Sequence, residues 1–359
     1  MKKILFITAF PPNQRTAGQD YTRRLLDDLV QKGHSVSLVY APYPGHEVEV
    51  DDRIEILAVM RPSLKNCLRH PGFHPFFTRR FDDDVLALVR TSAAGFDILY
   101  FDFSQVHLYS LFVSHPRKIL MCHDVIVQKF ARRGKLWLPW IRAGERAVLS
   151  SAAQILVFSE KDNAVIRRTY GLDAEPVNFY LKDDGREELA ANLDVMENTF
   201  CFYGAWNRAE NAESLLWFVR KVLPCLPENL RFLVIGGGMS VRLQSKLSAI
   251  PAVTFLGFVE NPILEIARCQ ALVAPLRRGA GVKVKVIDAL SSGTKVIGTE
   301  IAFEGIDDNA AHPLFCRAHR ADDFIRILRG WQSVSCAEKQ AASEEFRARY
   351  NTTHFADTI

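Results

Sequence analysis

Two stretches of the sequence carry residue types that could act on a charged, hydroxyl-rich ligand. The first is Ala271 to Gly305, ALVAPLRRGAGVKVKVIDALSSGTKVIGTEIAFEG. Its apolar run Leu272-Val273-Ala274 stops at Pro275, and Arg277, Arg278, Gly279 and Gly281 follow as a basic, flexible loop. An amphipathic segment from about Val282 to Leu290 closes at Gly293, before a second apolar run, Val296 to Gly298. The pattern predicts strand, glycine loop, helix, strand, the unit of parallel α/β domains. Lys283 and Lys285 fall in the first turn of that helix, with Asp288 one turn on. Lysines there oppose the helix dipole, so the placement is locally unfavourable unless an anion docks. Glycine amides, a helix N-terminus and two cations together make a diphosphate cradle. The same residues also suit a solvated loop with turn glycines, and spacing alone leaves both readings open.

The second stretch is His123-Asp124, directly after the apolar run RKILMC. Ligand-facing residues of open parallel sheets lie just beyond strand C-termini. A neutral histidine there could hydrogen-bond a sugar hydroxyl, and a cap or supporting role is the alternative. Asp102 and His107 flank another strand end. Arg208, beyond the run Phe200 to Tyr203 and Gly204, stands where a cation could meet a ligand or simply pair at the surface. Ser159-Glu160, after ILVF, reads as a helix cap rather than a nucleophile.

These positions need strands and helices behind them. Strands are expected at Lys3 to Ala9, Ser35 to Tyr40, Ile54 to Val59, Ile98 to Phe101, Lys118 to Cys122 and Gln154 to Phe158. Helices are expected over Gln19 to Gln31, Phe76 to Arg90, Trp140 to Ser150 and Lys161 to Thr169. Gly18 is the one glycine in the first strand–helix loop, so no dinucleotide fingerprint opens the chain. A second α/β series begins at Phe200, continues through Arg231 to Ile235 with Gly236-Gly237-Gly238 and Val253 to Gly257, and ends in helices over Asp323 to Leu328 and Cys336 to Tyr350. The polar stretch Tyr170 to Asn198 is the expected boundary. The expected division is 1–170, a connector 171–198, a second domain 199–335, and a final helical segment 336–359 with the option of packing back toward the first domain. Two α/β domains with polar strand ends imply a central cleft.

A chain of 359 residues with 48% hydrophobic and 24% charged residues is globular and long enough for two cores. The apolar start stops at Pro11-Pro12 without a small-residue cleavage site, and no run is long enough to span a membrane. Seven scattered cysteines read as small buried hydrophobes of a reducing compartment, with no metal or disulfide spacing. Net charge is +4, yet residues 1–170 hold 24 Lys and Arg against 17 Asp and Glu. That half could face an anionic surface or substrate, but it lacks the basicity and motifs of a nucleic-acid binder. Gln128 to Arg142, QKFARRGKLWLPWIR, interleaves cations with Phe130, Trp137 and Trp140. Exposed, it suits an anionic membrane surface; buried, its aromatics anchor a loop.

The stretch Phe202 to Gly238, with its Gly204…Asn211 spacing, helix LLWFVRKVLP and sequel RFLVIGGG, resembles the donor domain of bacterial family-4 glycosyltransferases of the GT-B fold. Val273 to Gly305 is similar to the donor-diphosphate segment of one branch of that group. Pro11-Pro12…Gly18, Lys32-Gly33-His34-Ser35-Val36 and Cys122-His123-Asp124 resemble its acceptor domain. The resemblance implies two Rossmann-like domains facing a central cleft. It also implies transfer of a sugar from a nucleoside-diphosphate sugar to a saccharide or lipid-linked glycan, with retention and without metal or other cofactor, in surface polysaccharide synthesis.

Residue by residue, Asp288 stands at the second glutamate of a Glu-x7-Glu pair that holds the ribose, and Ala280 at the first. Lys285, Lys283 and the backbone at Gly281 and Val282 neighbour the diphosphate. Arg208 stands in for a basic pair, Gly18 lets the first-domain loop approach the donor, and Gly204 and Glu304 complete the donor set. By the same resemblance His123, Asp124 and Lys285 would form the catalytic set, with His123 facing the transferred sugar. The expected location is the cytoplasm, at the inner face of the plasma membrane if 128–142 is exposed. Two other readings fit the same scaffold: a nucleotide-sugar 2-epimerase, and a non-catalytic nucleotide-sugar-binding or scaffolding protein, the latter motivated by Ala280.

Overall fold

The computed structural model describes residues 1–132, 136–183, 186–279, 281–306, 314–350 and 353–359. Ala280, Arg133, Lys135 and the polar loop expected at 307–311 lie outside the described residues. The chain forms two units: Met1–Tyr180 with Thr353–Ile359, and Leu181–Thr352.

The first unit is built on seven parallel strands in the order β3-β2-β1-β4-β5-β6-β7. They are β1 (Lys3–Thr8), β2 (Ser35–Tyr40), β3 (Glu55–Val59), β4 (Ile98–Asp102), β5 (Lys118–Cys122), β6 (Gln154–Val157) and β7 (Glu175–Pro176). β1, KILFIT, is buried at every residue after the first, as expected of a strand covered on both faces. The chain winds outward from β1 through β2 to β3, then returns to β4 on the other side. That reversal creates a switch point between the C-terminal ends of β1 and β4.

The helix after β1 begins at Ala17, two residues ahead of the sequence reading, because the Thr16 side chain accepts the amide of Gln19. The single helix expected over Phe76 to Arg90 is two: Pro75–Thr78 and Asp83–Ser92. Asp82 interrupts it, in extended backbone, where its carboxylate caps the amides of Asp84 and Val85. Ser159 is an N-cap too, accepting the amide of Asp162.

The second unit repeats the winding with six parallel strands in the order β10-β9-β8-β11-β12-β13. They are β8 (Thr199–Tyr203), β9 (Arg231–Ile235), β10 (Val253–Gly257), β11 (Ala271–Ala274), β12 (Lys295–Gly298) and β13 (Phe315–Arg317). Its switch point lies between β8 and β11. Both units therefore have the Rossmann-like winding expected from the sequence.

The expected connector 171–198 is divided between the units. Residues up to Tyr180 belong to the first, where β7 pairs with β6. The remainder belongs to the second, where the helix Arg186–Ala190 packs on the final helix and Cys336 Sγ meets Leu189 O at 3.3 Å. That final helix, Cys336–Tyr350, belongs to the second unit. The reason is its inward face: buried Lys339 donates to Cys269 O and Thr294 Oγ1, and buried Ser343 to Ser291 O. Thr353–Ile359 alone rejoins the first unit. There Phe355 is fully buried against Tyr100, with ring centroids 4.9 Å apart, and Asp357 pairs with Lys32.

Candidate functional site

Chemistry-bearing residues gather at the switch point of each sheet, as the winding requires. In the second unit the helix Val284–Ser291 follows β11, with Lys283 at its N-cap and Lys285 second in the helix. Lys283 is thus a half-turn earlier than expected, outside the helix proper. The loop before it reverses at Gly281, whose φ of +68° is costly for any residue with a Cβ.

Partly buried Lys285 donates to Asn211 Oδ1 at 2.8 Å, and its ammonium lies 5.2 Å from the centroid of the Phe202 ring. Asn211 Nδ2 donates in turn to Ala205 O at 2.9 Å, tying the loop after β8 to the helix after β11. A Cβ on Gly204 would fall 2.9 Å from both Asn211 Nδ2 and Lys285 Nζ. The loop can reach this lysine only because residue 204 has no side chain. Removal from water pushes the Lys285 pKa down to about 7, with repulsion from Arg208 and then Lys283 adding to the shift. Among the described residues no carboxylate pairs with Lys285, and Glu210 offsets the repulsion only through space.

The other donor-side positions surround this lysine unequally. Exposed Arg208 is the N-cap of the helix Ala209–Lys221 and makes no side-chain cap bond. Lys283 donates to Gly281 O and lies 3.7 Å from Glu304 Oε2, so these two predicted residues meet each other. Val282 is partly buried. Asp288 is buried near the C-terminal end of β8, where burial, and then its charge, push the Tyr203 pKa up to about 12.

In the first unit the carboxylate that meets His123 is Asp102, at the end of β4, not Asp124. His123 Nε2 lies 2.8 Å from Asp102 Oδ1. Buried Asp102 also accepts from Thr22 Oγ1 at 2.6 Å and Thr8 Oγ1 at 3.1 Å. An ionised carboxylate only accepts, so Nε2 carries a proton, and in a neutral ring Nδ1 is then the acceptor. Nδ1 has no hydrogen-bond partner among the described residues, and it lies 3.2 Å from where a Cβ on Gly18 would stand. The imidazole stacks on Phe103 at 3.6 Å and meets the edges of Phe158 and Tyr21. Phe103 itself has φ +67°, a strained conformation of about 1–3 kcal/mol of the sort that collects at functional sites. Asp124 turns away to Lys129, 2.7 Å from its ammonium. Sequence had marked Asp102 only as a strand-end residue. The signal that could have ranked it higher is the pair of threonines, Thr8 and Thr22, spaced to reach it.

The stretch 128–142 is part anchored and part exposed. Trp140 Nε1 donates to Gly72 O at 2.8 Å, and Phe130 packs on His74. Leu136 and Trp137 are 82% and 52% exposed. Among the described residues no helix is long and apolar enough to cross a membrane, and no group of His, Cys, Asp or Glu could hold a metal ion.

Two family profiles match consecutive parts of the chain: Glycosyltransferase Family 4 over residues 18–179, and Glycosyl transferases group 1 over 197–330. The chain belongs to the family-4 glycosyltransferases. Solved structures similar to this glycosyltransferase include WaaG, a glycosyltransferase involved in lipopolysaccharide biosynthesis. The match is 16% identical, covers 99% of each chain and has a TM-score of 0.66. A sucrose-phosphate synthase from Thermosynechococcus elongatus is 16% identical over 98% of this chain and 95% of its own, with a TM-score of 0.68. Anabaena HepE in complex with UDP is 12% identical over 97% and 96%, with a TM-score of 0.65. At such identities the likeness is one of fold. No curated protein matches the sequence. As a family-4 enzyme of GT-B fold, the protein is a glycosyltransferase acting on nucleoside-diphosphate sugars.

Proposed function

We propose that this glycosyltransferase moves a sugar, with retention of configuration, from a nucleoside-diphosphate sugar to a saccharide or glycolipid acceptor of surface polysaccharide synthesis. The second unit takes the donor. The observation that carries this reading is Lys285, a partly buried lysine beside two cations and, among the described residues, without a carboxylate of its own. Such a group lacks the counter-charge that a diphosphate would bring. Lys285, Arg208 and the amides from Gly281 to Lys283 neutralise the departing diphosphate, while Asp288 accepts from ribose hydroxyls. Glu304 holds Lys283 in place through their contact.

The first unit supplies His123. Held through Nε2 by Asp102, it presents Nδ1 to a hydroxyl of the transferred sugar, and Gly18 gives that sugar room. The acceptor oxygen bonds to the anomeric carbon on the face from which the phosphate oxygen leaves, and that oxygen receives the acceptor's proton. Asp124 serves Lys129 and the loop rather than the reaction. Leu136 and Trp137, with Lys129, Arg132 and Arg142 nearby in sequence, rest on an anionic membrane surface at the cytoplasmic side. Vesicles with anionic lipid should therefore sediment the wild-type protein, and the double change Leu136→Ser with Trp137→Ser should abolish that.

The test of function is transfer. Nucleoside-diphosphate sugars are incubated with a panel of saccharide and glycolipid acceptors, and products are resolved by mass spectrometry and NMR. A product of unchanged anomeric configuration, lost with Lys285→Ala, supports the reading. Inversion would remove the stereochemical part. Isomerised donor without acceptor, or tight donor binding with no transfer to any acceptor, would replace the proposal.

A further inference from the structure

The first unit holds a second cation that no carboxylate meets among the described residues, and it lies on the acceptor side. Arg80 follows the helix Pro75–Thr78 and is partly buried, with its guanidinium carbon 4.5 Å from the centroid of the Phe10 ring. Its buried Nε has no hydrogen-bond partner among the described residues. Among the described residues no carboxylate pairs with it, although Asp82, Asp83 and Asp84 follow closely in sequence. Each of those acids is engaged elsewhere: Asp82 by the amides of Asp84, Val85 and Arg61, Asp83 by Arg69, and Asp84 by Arg61. Burial, and then repulsion from Arg79, lower the Arg80 pKa, yet a guanidinium stays charged in any protein.

A partly desolvated charge with an unmet donor is unfavourable, and stacking on Phe10 returns only part of the loss. Its location gives the charge a use. Phe10 lies just beyond β1 and Tyr43 just beyond β2, at the sheet edge that also bears Asp102 and His123. Phe10 meets Phe103 edge-on at 5.0 Å, and Phe103 stacks on His123 at 3.6 Å. With the 4.5 Å step to Arg80, this aromatic wall puts the guanidinium no more than about 13 Å from the imidazole. That is the reach of one or two sugar rings. Planar, fork-like guanidinium donors suit phosphate and carboxylate oxygens.

We propose that Arg80 binds an anionic group of the acceptor, a phosphate or carboxylate carried within one or two sugar rings of the hydroxyl that is glycosylated. The term acceptor rests on the proposed function; the anion site itself does not. The probe is methyl phosphate, titrated by calorimetry onto the full-length chain carrying Lys285→Met, so that the donor-side cation cannot report. Arg80→Met keeps an apolar stem against Phe10 and removes the charge; Arg80→Lys keeps the charge and loses the fork. Adding Arg80→Met to Lys285→Met should weaken methyl phosphate binding at least about tenfold, and Arg80→Lys should fall between. No binding to the Lys285→Met protein, or binding indifferent to Arg80→Met, overturns the site.

With Lys285 intact, transfer to glucose, glucuronic acid and glucose 1-phosphate is then compared. Arg80→Met should raise KM about tenfold for the two charged acceptors and leave KM for glucose and for donor within about twofold. An equal rise for glucose means that Arg80 only packs, and overturns the acceptor assignment. Should no acceptor be glycosylated at all, the proposed function fails, while the methyl phosphate titration still decides the anion site.

Discussion

A lysine held near neutrality by burial and like charges must take up a proton when an anion arrives. Lys285 titrates at about 7 in the unliganded protein, against 10.5 for an ordinary lysine. A diphosphate on its ammonium removes the repulsion and restores the upper value. At pH 8 the free protein then holds the lysine about 90% neutral, so binding UDP should draw in about 0.9 proton per site; at pH 6 the uptake falls to about 0.1. Phosphate ionisation does not obscure the count at pH 8, because the terminal phosphate, with a second pKa of about 6, is already ionised. Above pH 7 the affinity should fall about tenfold per pH unit until the bound-state pKa is reached. Calorimetric titrations of UDP in HEPES and in Tris, whose ionisation enthalpies differ, measure the uptake directly. Lys285→Met should bind UDP more weakly and lose both the proton uptake and the pH slope. UDP binding at pH 8 without proton uptake, or with uptake intact in Lys285→Met, would show that Lys285 does not meet the diphosphate.

Four further outcomes follow from the same geometry. Gly204→Ala places a methyl against Lys285 and Asn211, and donor affinity measured by calorimetry should fall at least about tenfold while Tm changes little. Asp102→Asn turns one of the two accepting oxygens into a donor, so the threonines and His123 compete for the one that is left and the His123 tautomer is no longer fixed; kcat should drop at least about tenfold with UDP affinity kept within about twofold, and an equal loss of both would count against the assignment. Phe355→Ala empties a fully buried site under Tyr100 and should cost about 3–5 kcal/mol, seen in scanning calorimetry as early melting of the first unit alone. Lys339, fully buried and titrating at about 8, is neutral in the folded chain between pH 8 and 10.5 while the unfolded chain stays protonated. Stability of the second unit should therefore rise across that window by about 3 kcal/mol, and Lys339→Met should lack the rise in denaturant titrations at each pH.

Much of the fold was legible because both sheets are parallel and their inner strands are buried on two faces, so strands such as Lys118–Cys122 and Arg231–Ile235 stand out as largely apolar runs. Gly33 and Gly293 marked helix ends for a local reason, their left-handed backbone. Legibility failed where a single side chain reorganises the backbone. Asp82 breaks one apolar periodicity into two helices, and nothing in the period of the flanking residues signals it. The glycine-loop lysine was visible from its misfit with the helix dipole. Its partner Asn211 was visible only as part of a loop, since the contact spans 74 residues. The same limit hid Asp102, whose carboxylate is assembled with Thr8, Thr22 and His123 from four separate segments. Neighbours in sequence can mislead as well: Asp124 sits beside His123 in the chain and serves Lys129.

The proposed function depends most directly on where the diphosphate lies, and a crystal structure of the full-length protein with UDP measures that. Diphosphate oxygens should lie against the amides following Gly281, with Lys285 Nζ at ion-pair distance and released from Asn211 or shared with it. UDP bound elsewhere in the second unit, with Lys285 still held by Asn211 alone, would contradict the proposal.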